Sequence, residues 1–332
     1  MGLQDIDNAA FLGIESSITG KRWIEKPFNE RQAMMLSQRL GLSEIIGRLI
    51  TARGVEYEEA EPFLDPKLRN MLPDPSSLSD MDAAAERISS AIMMDEKIGI
   101  FGDYDVDGAT SSALLTRFFR ATNGQSVIYI PDRVKEGYGP NVPALLGLKK
   151  LGVSLIVTVD CGTLAVDTLK VATDAGLDIV VVDHHVAEPK IPSVSAVVNP
   201  NRLDDESNLG ELAAVGVCFL LVVAVNRVLR QAGWYKSRVE PDLKQWLDIV
   251  ALGTICDVVP LKGLNRALVF QGLRVMSQQR NLGLKALTQI IELDEMPNSY
   301  HLGYVFGPRI NAGGRVGAPD LGARLLSTED FG

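Results

Sequence analysis

The sequence has few of the residues that mark secreted or strongly basic proteins. It contains three cysteines in 332 residues, Cys161, Cys218 and Cys256, and no CxxC spacing. We therefore expect neither a disulfide framework nor a structural zinc site, and a reducing, cytoplasmic compartment is favoured. Acidic residues outnumber basic ones by 42 to 33, so the formal charge of −9 argues against a generally basic, nucleic-acid-coating surface.

Long hydrophobic runs are also rare. The longest one extends from Leu212 to Val225 and stops at Asn226, well short of the ~20 residues that span a bilayer. It predicts a helix that is buried on all sides, and no membrane partner is expected. Acidic residues interrupt the N-terminal segment, so no export signal is predicted either.

The sequence does contain a regular alternation of short β-branched runs with helical segments. Strands are predicted at 97–102, 126–130, 154–159, 178–182 and 196–198, with helices between them at 109–122, 142–151 and 164–175. Alternation of this kind is typical of a parallel sheet with right-handed crossovers. From residue 211 onward helices dominate. The predicted fold class is therefore α/β, with a parallel β-sheet flanked by helices and followed by a helical segment.

The same features predict three regions. A lead-in region covers residues 1–80 and ends near a cluster of prolines. A sheet-forming domain is predicted at 81–262. A helical segment that carries a motif of arginines and glycines is predicted at 263–332.

Three carboxylates follow the first predicted strand, at Asp103, Asp105 and Asp107. Open parallel sheets bind ligands at the carboxyl ends of their strands, and uncompensated acids so close together would repel one another. A hard divalent cation is the expected partner. A calcium-binding EF-hand loop begins in the same way, but it would need an acid where Leu114 stands and a helix instead of the preceding strand.

Two further strands and one helix end in similar residues. Asp160 follows the strand at 154–159, and Asp183, His184 and His185 follow the strand at 178–182. Asp257 ends an apolar stretch in the helical part, where a buried acid needs a partner. Each residue taken singly is also typical of a helix cap or a structural histidine. Together, carboxylates and imidazoles suit two Mn²⁺ or Mg²⁺ ions of a phosphoryl-transfer centre better than zinc.

These motifs resemble the DHH phosphoesterase superfamily and, within it, the RecJ family of single-strand-specific 5′ to 3′ DNA exonucleases. The segments that carry the resemblance are GDYDVDGATSSALL, IPDRVKEGYG, GTICDVVPL and GPRINAGGRVG. The match extends from about residue 78 to 326. It implies a metal-dependent hydrolase acting in DNA repair and recombination, with two Mn²⁺ or Mg²⁺ ions as cofactors. Single-stranded DNA and other repair proteins are the implied partners.

The resemblance also implies roles for individual residues. The implied metal ligands are Asp103, Asp105 and Asp160 for one ion, and Asp107, Asp160, His184 and Asp257 for the other. In the implied catalytic set, His185 faces the scissile phosphate, Asp160 bridges the ions and Asp183 orients the histidines. The implied substrate-binding residues are Arg309, Asn311, Gly314 and Arg315, since guanidinium groups suit phosphate and glycine lets backbone approach it.

Two alternative functions stay open at this point. RecJ-like chains continue into a DHHA1 domain and an oligonucleotide-binding barrel, whereas this sequence ends at Gly332, so we expect a catalytic part without them. One alternative is a non-catalytic or weakly active remnant that binds DNA or a partner protein. The other is a small-nucleotide DHH phosphodiesterase. The acid-free stretch 258–291 carries five basic residues and is either a DNA-facing surface or an ordinary solvated helix face.

Overall fold

The structure is a computed structural model that describes residues 10–330. Residues 1–9 of the predicted lead-in region and 331–332 of the predicted helical segment lie outside the described residues. The chain forms two compact units, Met1–Lys67 and Leu68–Gly332. The three-part division at residues 80 and 262 stays a prediction, because the compactness of a unit does not locate the borders of a family domain.

The described part of the first unit, residues 10–67, contains three short α-helices. They are α1 (Glu30–Leu40), α2 (Glu44–Thr51) and α3 (Tyr57–Leu64). Gly41 adopts φ +65° and ends α1, so the amphipathic stretch at 30–52 forms two helices. Leu36, Ile50 and Ala60 form part of the small buried core of this unit.

The second unit is built on a five-stranded parallel sheet. Its strands are β1 (Lys97–Gly102), β2 (Gln125–Tyr129), β3 (Val153–Val159), β4 (Asp178–Val182) and β5 (Ala196–Val198). The spatial order is β2-β1-β3-β4-β5, with every neighbouring pair parallel. All five predicted strands and the α/β fold class are confirmed. The chain goes from β1 to β2 on one side and then crosses to β3 on the other side of β1, so the strand order reverses between β1 and β3. Open α/β sheets bind ligands outside the carboxyl ends of the strands at such a point.

Twelve α-helices belong to the described part of the second unit. They are α4 (Leu68–Met71), α5 (Met81–Met93), α6 (Val106–Ala121), α7 (Val142–Lys150), α8 (Val166–Asp174), α9 (Ala214–Gln231), α10 (Leu247–Cys256), α11 (Gly263–Met276), α12 (Leu282–Ile290), α13 (Ser299–His301), α14 (Gly307–Val316) and α15 (Leu321–Ser327). A π-helical turn, Leu302–Phe306, joins α13 to α14. Short 3₁₀ helices lie at Phe11–Gly13, Pro75–Ser77, Trp234–Lys236 and Leu243–Trp246.

The sheet is covered on both faces because side chains alternate along each strand. Ile100 and Val157 point into one core with α5, α6 and α9, whereas Phe101 and Ile156 point into another with α7 and α8. A third core joins α6 to α10, α11, α12, α14 and α15. The helix α6 therefore connects the sheet to the helical part, and its first turn lies at the edge where the predicted site should be.

The apolar run at 212–225 lies mostly in α9. Within residues 10–330, α9 is the one helix whose length and composition would allow it to cross a membrane, but 72% of that stretch is buried inside the structure. The prediction of a buried helix is confirmed.

Candidate metal centre

The polar residues that follow the strands form a row at one edge of the sheet. The last residues of β1, β3, β4 and β5 are paired with one another in register. The next residues, Asp103, Asp160, Asp183 and Asn199, therefore lie side by side, and all four are buried. Asp160 adopts φ +61°, a left-handed conformation that is uncommon for a residue other than glycine and is typical of functional turns.

Two further aspartates lie at the beginning of α6. Asp105 caps this helix, since one of its carboxylate oxygens accepts a hydrogen bond from the Gly108 backbone N–H at 3.0 Å. Asp107 lies in the first turn and accepts hydrogen bonds from the backbone N–H groups of Ala214 at 2.6 Å and Val215 at 2.9 Å. Asp107 thus lies where both α6 and α9 begin, and helix N-termini stabilise negative charge.

Asp183 accepts hydrogen bonds from both histidine residues, and its implied role of orienting them for metal and substrate stays a prediction. Its Oδ1 accepts hydrogen bonds from the His184 backbone N–H at 2.8 Å and from His185 Nδ1 at 2.7 Å, while Oδ2 accepts one from Thr163 N–H at 3.0 Å. His184 Nδ1 lies 3.0 Å from the Leu212 carbonyl oxygen. Because a carbonyl only accepts, Nδ1 of His184 carries the proton and Nε2 keeps its lone pair for a metal ion.

The predicted ligands come together in overlapping groups. Ligand atoms lie within 4.8 Å of one another in three sets: Asp103, Asp105 and Asp160; Asp107, His184 and Asp257; and Asp160, His184 and His185. His184 Nε2 is 3.3 Å from Asp160 Oδ1, which links the second set to the bridging residue of the implied pair of ions. The structure thus places every implied ligand at one site, although their roles in binding metal stay predictions.

Two of the buried carboxylate oxygens accept no hydrogen bond from residues 10–330. Oδ1 of Asp103 and Oδ2 of Asp257 are buried and have no hydrogen-bond donor among the described residues. A buried acceptor without a partner is unfavourable, and a divalent cation coordinated by oxygen would satisfy both. The residues present therefore fit the implied ions.

Burial and mutual repulsion raise the pKa values of these acids. Burial, followed by the charge of Asp105, raises the pKa of Asp103 to about 7. Burial and the charge of Asp257 raise the pKa of Asp107 well above its usual range, and burial and the charge of Asp107 do the same for the pKa of Asp160. Burial also raises the pKa of Asp257. Each of these carboxyl groups is therefore harder to ionise than a free aspartate, and bound cations would favour the ionised forms.

Asp183 differs from the other carboxylates because it has a partner. Burial alone would raise its pKa, but the hydrogen bond and charge of His185 lower the pKa of Asp183 to about 2. The same hydrogen bond raises the pKa of His185. Asp183 therefore stays ionised and fixes the ring of His185, leaving Nε2 as the free nitrogen of a half-exposed side chain.

A cavity of about 540 Å³ adjoins the aspartates. Asp103 and Asp105 line it together with Asn311, Gly314 and Arg315, which come from α14. The motif GPRINAGGRVG is helical, although its four glycines suggest a turn. Three of the four implied substrate residues therefore lie beside the acids.

Arg309, the fourth implied substrate residue, lies outside the set that lines this cavity. It is exposed, and its Nη1 donates a hydrogen bond to the Val305 carbonyl at 2.9 Å. Its role in binding substrate stays a prediction.

The loop after β2 supplies residues that were not singled out from the sequence. Arg133 and Tyr138 line the cavity, and the Arg133 guanidinium lies 4.8 Å from the ring centroid of Tyr104. The Tyr138 hydroxyl donates a hydrogen bond to the Asp160 carbonyl at 3.2 Å, and its ring is edge-on to His185 at 6.1 Å. The segment IPDRVKEGYG, which contains both residues, was the signal that could have identified them.

Two asparagines hold the backbone of the histidine pair. Asn199, fully buried, donates from Nδ2 to the His185 carbonyl and to Thr163 Oγ1, both at 2.9 Å. Asn201 donates from Nδ2 to the His184 carbonyl at 2.5 Å. Sequence reasoning missed both. The position of Asn199 directly after the fifth strand, equivalent to that of the aspartates, was the available signal.

Known sequences share these motifs. Residues 97–254 match the family model described as DHH family, N-terminal domain. The single-stranded-DNA-specific exonuclease RecJ of Bacillus subtilis is 38% identical over 93% of this chain and 38% of its own length. The corresponding Escherichia coli protein is 35% identical over 88% of this chain and 51% of its own length. The chain thus spans about two fifths to one half of these curated relatives.

Solved structures agree with the sequence relationship. RecJ of Thermus thermophilus in complex with Mn²⁺ superposes with a TM-score of 0.74, at 29% identity over 93% of this chain and 42% of that chain. A second exonuclease RecJ bound to manganese superposes with a TM-score of 0.68, at 32% identity over 79% of this chain and 63% of that chain.

Proposed function

We propose that this chain, a RecJ-like member of the DHH family, is a metal-dependent hydrolase that removes nucleotides from the 5′ end of single-stranded DNA. The observation that carries the proposal is the convergence of the implied ligands at one sheet edge, where Oδ1 of Asp103 and Oδ2 of Asp257 accept no hydrogen bond from the described residues. Arg133 and Arg315 line the adjoining cavity. The relatives' names supply the substrate. The resemblance of the motifs implies a role in DNA repair and recombination, and the cysteine content favours the cytoplasm.

Two divalent cations, Mn²⁺ or Mg²⁺, are the proposed cofactors. One would be held by Asp103, Asp105 and Asp160, and the other by Asp107, Asp160, His184 and Asp257. When bound, such ions neutralise the carboxylates, polarise phosphoryl oxygens and lower the pKa of water. The relatives solved with manganese support this choice of ion.

The remaining side chains would position the substrate. Asp183 holds Nδ1 of His185, so the free Nε2 can approach a phosphate at the edge of the site. The guanidinium groups of Arg133 and Arg315 can each offer two parallel N–H donors to phosphate oxygens. These contacts would place the scissile bond against the carboxylates, which is the main way in which positioning contributes to phosphoryl transfer.

The test is a nuclease assay on strands labelled at either end. With manganese, we expect a 5′ label to appear first in mononucleotides, whereas a 3′ label stays in long products. Asp160→Asn should abolish release, and Asp167→Asn, at a 97% exposed side chain, should not change it. Release that persists in chelator, release that begins at the 3′ label, or an active Asp160→Asn protein with unchanged melting would contradict the proposal.

A further inference from the structure

Two aromatic side chains form a stacked pair on the surface of the second unit. Tyr300 and Tyr304 are 61% and 74% exposed. Their ring centroids are 5.2 Å apart, and their planes differ by 27°. Each ring covers one face of the other, which leaves large aromatic surface in contact with solvent. The metal centre does not use either residue.

The chain around the tyrosine pair is linked to the metal centre by two contacts. On one side, the Cys256 thiol donates a weak hydrogen bond to the Leu302 carbonyl at 3.5 Å, and the next residue is the proposed ligand Asp257. On the other side, α14 begins where the π-helical turn ends, and Arg315 near its far end lines the cavity. Tyr304 is eleven residues before Arg315, which corresponds to roughly 17 Å along a helix.

The charge between Tyr304 and the cavity-lining Arg315 suits a polyanion. Residues 305–319 include Arg309 and Arg315 and no acid, whereas an acid lies on the other side of the tyrosines, where Glu295 Oε1 is 3.1 Å from His301 Nε2. Arg309 lies between Tyr304 and the cavity-lining Arg315 in the sequence and is exposed. Its hydrogen bond to the Val305 carbonyl uses one N–H of a guanidinium group that has five. Aromatic surface interleaved with positive charge is the arrangement that binds single-stranded nucleic acids without sequence preference.

We infer that Tyr300 and Tyr304 form a stacking platform for nucleobases of the strand whose end lies in the metal centre. This inference rests on the proposed function and adds a second contact region to it. Bases of every identity present a π-face, so the platform would hold the strand regardless of sequence. Arg309 would contact the intervening phosphates. At about 3.4 Å per stacked nucleotide, roughly 17 Å corresponds to no more than about five nucleotides.

The substitution Tyr304→Ala in the full chain tests the platform. Binding of a fifteen-nucleotide oligothymidylate in chelator should weaken at least about 5-fold, because one stacked base contributes about 1–3 kcal/mol. Tyr304→Phe should bind like the wild type. Met94→Ala, which removes a 72% exposed side chain directly after α5, at the opposite end of β1 from the aspartates, should have no effect. Tyr300→Ala provides an independent removal of one ring of the pair.

The substrate offers matching controls. A fifteen-unit abasic strand keeps the phosphates but lacks bases, so wild type and Tyr304→Ala should bind it equally. With manganese, Tyr304→Ala should raise the KM for the long strand about 5-fold with kcat unchanged, and should leave cleavage of a dinucleotide as it was. If Tyr304 had only a structural role, Tyr304→Ala would instead lower the melting temperature, or it would slow cleavage of the long strand and of the dinucleotide equally.

The outcomes separate this inference from the proposed function. A wild type that neither binds the fifteen-nucleotide strand nor releases nucleotides refutes both. A wild type that does both, with Tyr304→Ala and Tyr300→Ala indistinguishable from it, refutes the platform alone. Equal weakening for the abasic strand also refutes stacking.

Discussion

Removing one carboxylate from the metal centre should stabilise the metal-free protein. Asp103 is 5% exposed, its Oδ1 has no hydrogen-bond donor, and burial together with Asp105 raises its pKa from 3.8 to about 7. That difference corresponds to about 4 kcal/mol of unfolding free energy lost when the group ionises. Asparagine at this position is nearly the same size and carries no charge. Asp103→Asn should therefore unfold less readily than the wild type when no metal is bound.

The sign of the pH dependence follows from linkage. A raised pKa means that the folded protein binds this proton more tightly than the unfolded chain. The destabilisation is therefore absent below about pH 3.8, grows as the pH rises toward 7, and is complete above it. In chelator, Asp103→Asn should be more stable than the wild type by up to about 4 kcal/mol at pH 8 and by about 2 kcal/mol at pH 5.

Urea unfolding in chelator at the two pH values measures this directly, with Asp167→Asn as an exposed control that should behave like the wild type. Saturating manganese should then reverse the order, because the wild type gains binding free energy that the Asp103→Asn site cannot match. Two results would refute this account of the site. One is an Asp103→Asn protein that is no more stable than the wild type in chelator at pH 8. The other is a difference in unfolding free energy between the two proteins that is as large at pH 5 as at pH 8.

Three further predictions concern single positions. Asn199→Ala should weaken manganese binding about 10- to 100-fold, measured by the metal-dependent melting shift, because the histidine backbone loses its support; an unchanged shift would show that Asn199 is not needed. Gly162→Ala should destabilise the protein by about 1–3 kcal/mol, since Gly162 has φ +114° and an added Cβ would lie 2.6 Å from a threonine hydroxyl. Gly147→Ala, in open space on α7, should instead stabilise the protein by about 0.5–1 kcal/mol. Equal effects at the two glycines would contradict the idea that Ala is strained at position 162. Arg315→Ala should lower the salt dependence of strand binding by about one unit of log–log slope while the metal-dependent melting shift persists, whereas loss of that shift would make Arg315 structural.

Much of the fold could be predicted because its signals are local. Strands buried on both faces of a parallel sheet appear as continuous apolar runs, so β1, β3, β4 and β5 were identified from composition and length. The edge strand β2 is only partly buried, and its place in the alternation of strands and helices identified it. The helix predicted at 109–122 begins earlier, at Val106, because Asp105 caps it, and capping residues are easily read as part of a loop. The motif at 307–316 was harder, since its glycines favour a turn whereas packing against α15 and α6 keeps it helical.

The chemical groups of the site can be read from the residue order: aspartates after three strands, a histidine pair and an acid at the end of α10. Parallel strands deliver the residues that follow them to one edge, so their proximity was predictable. The way in which those groups are held could not be read in this way, because it depends on contacts between distant parts of the chain. Asp107 accepts hydrogen bonds from the beginning of α9, 107 positions later, and Asn199 reaches the His185 carbonyl from the neighbouring strand. Such contacts depend on strand register and helix packing, which no local pattern of residues specifies.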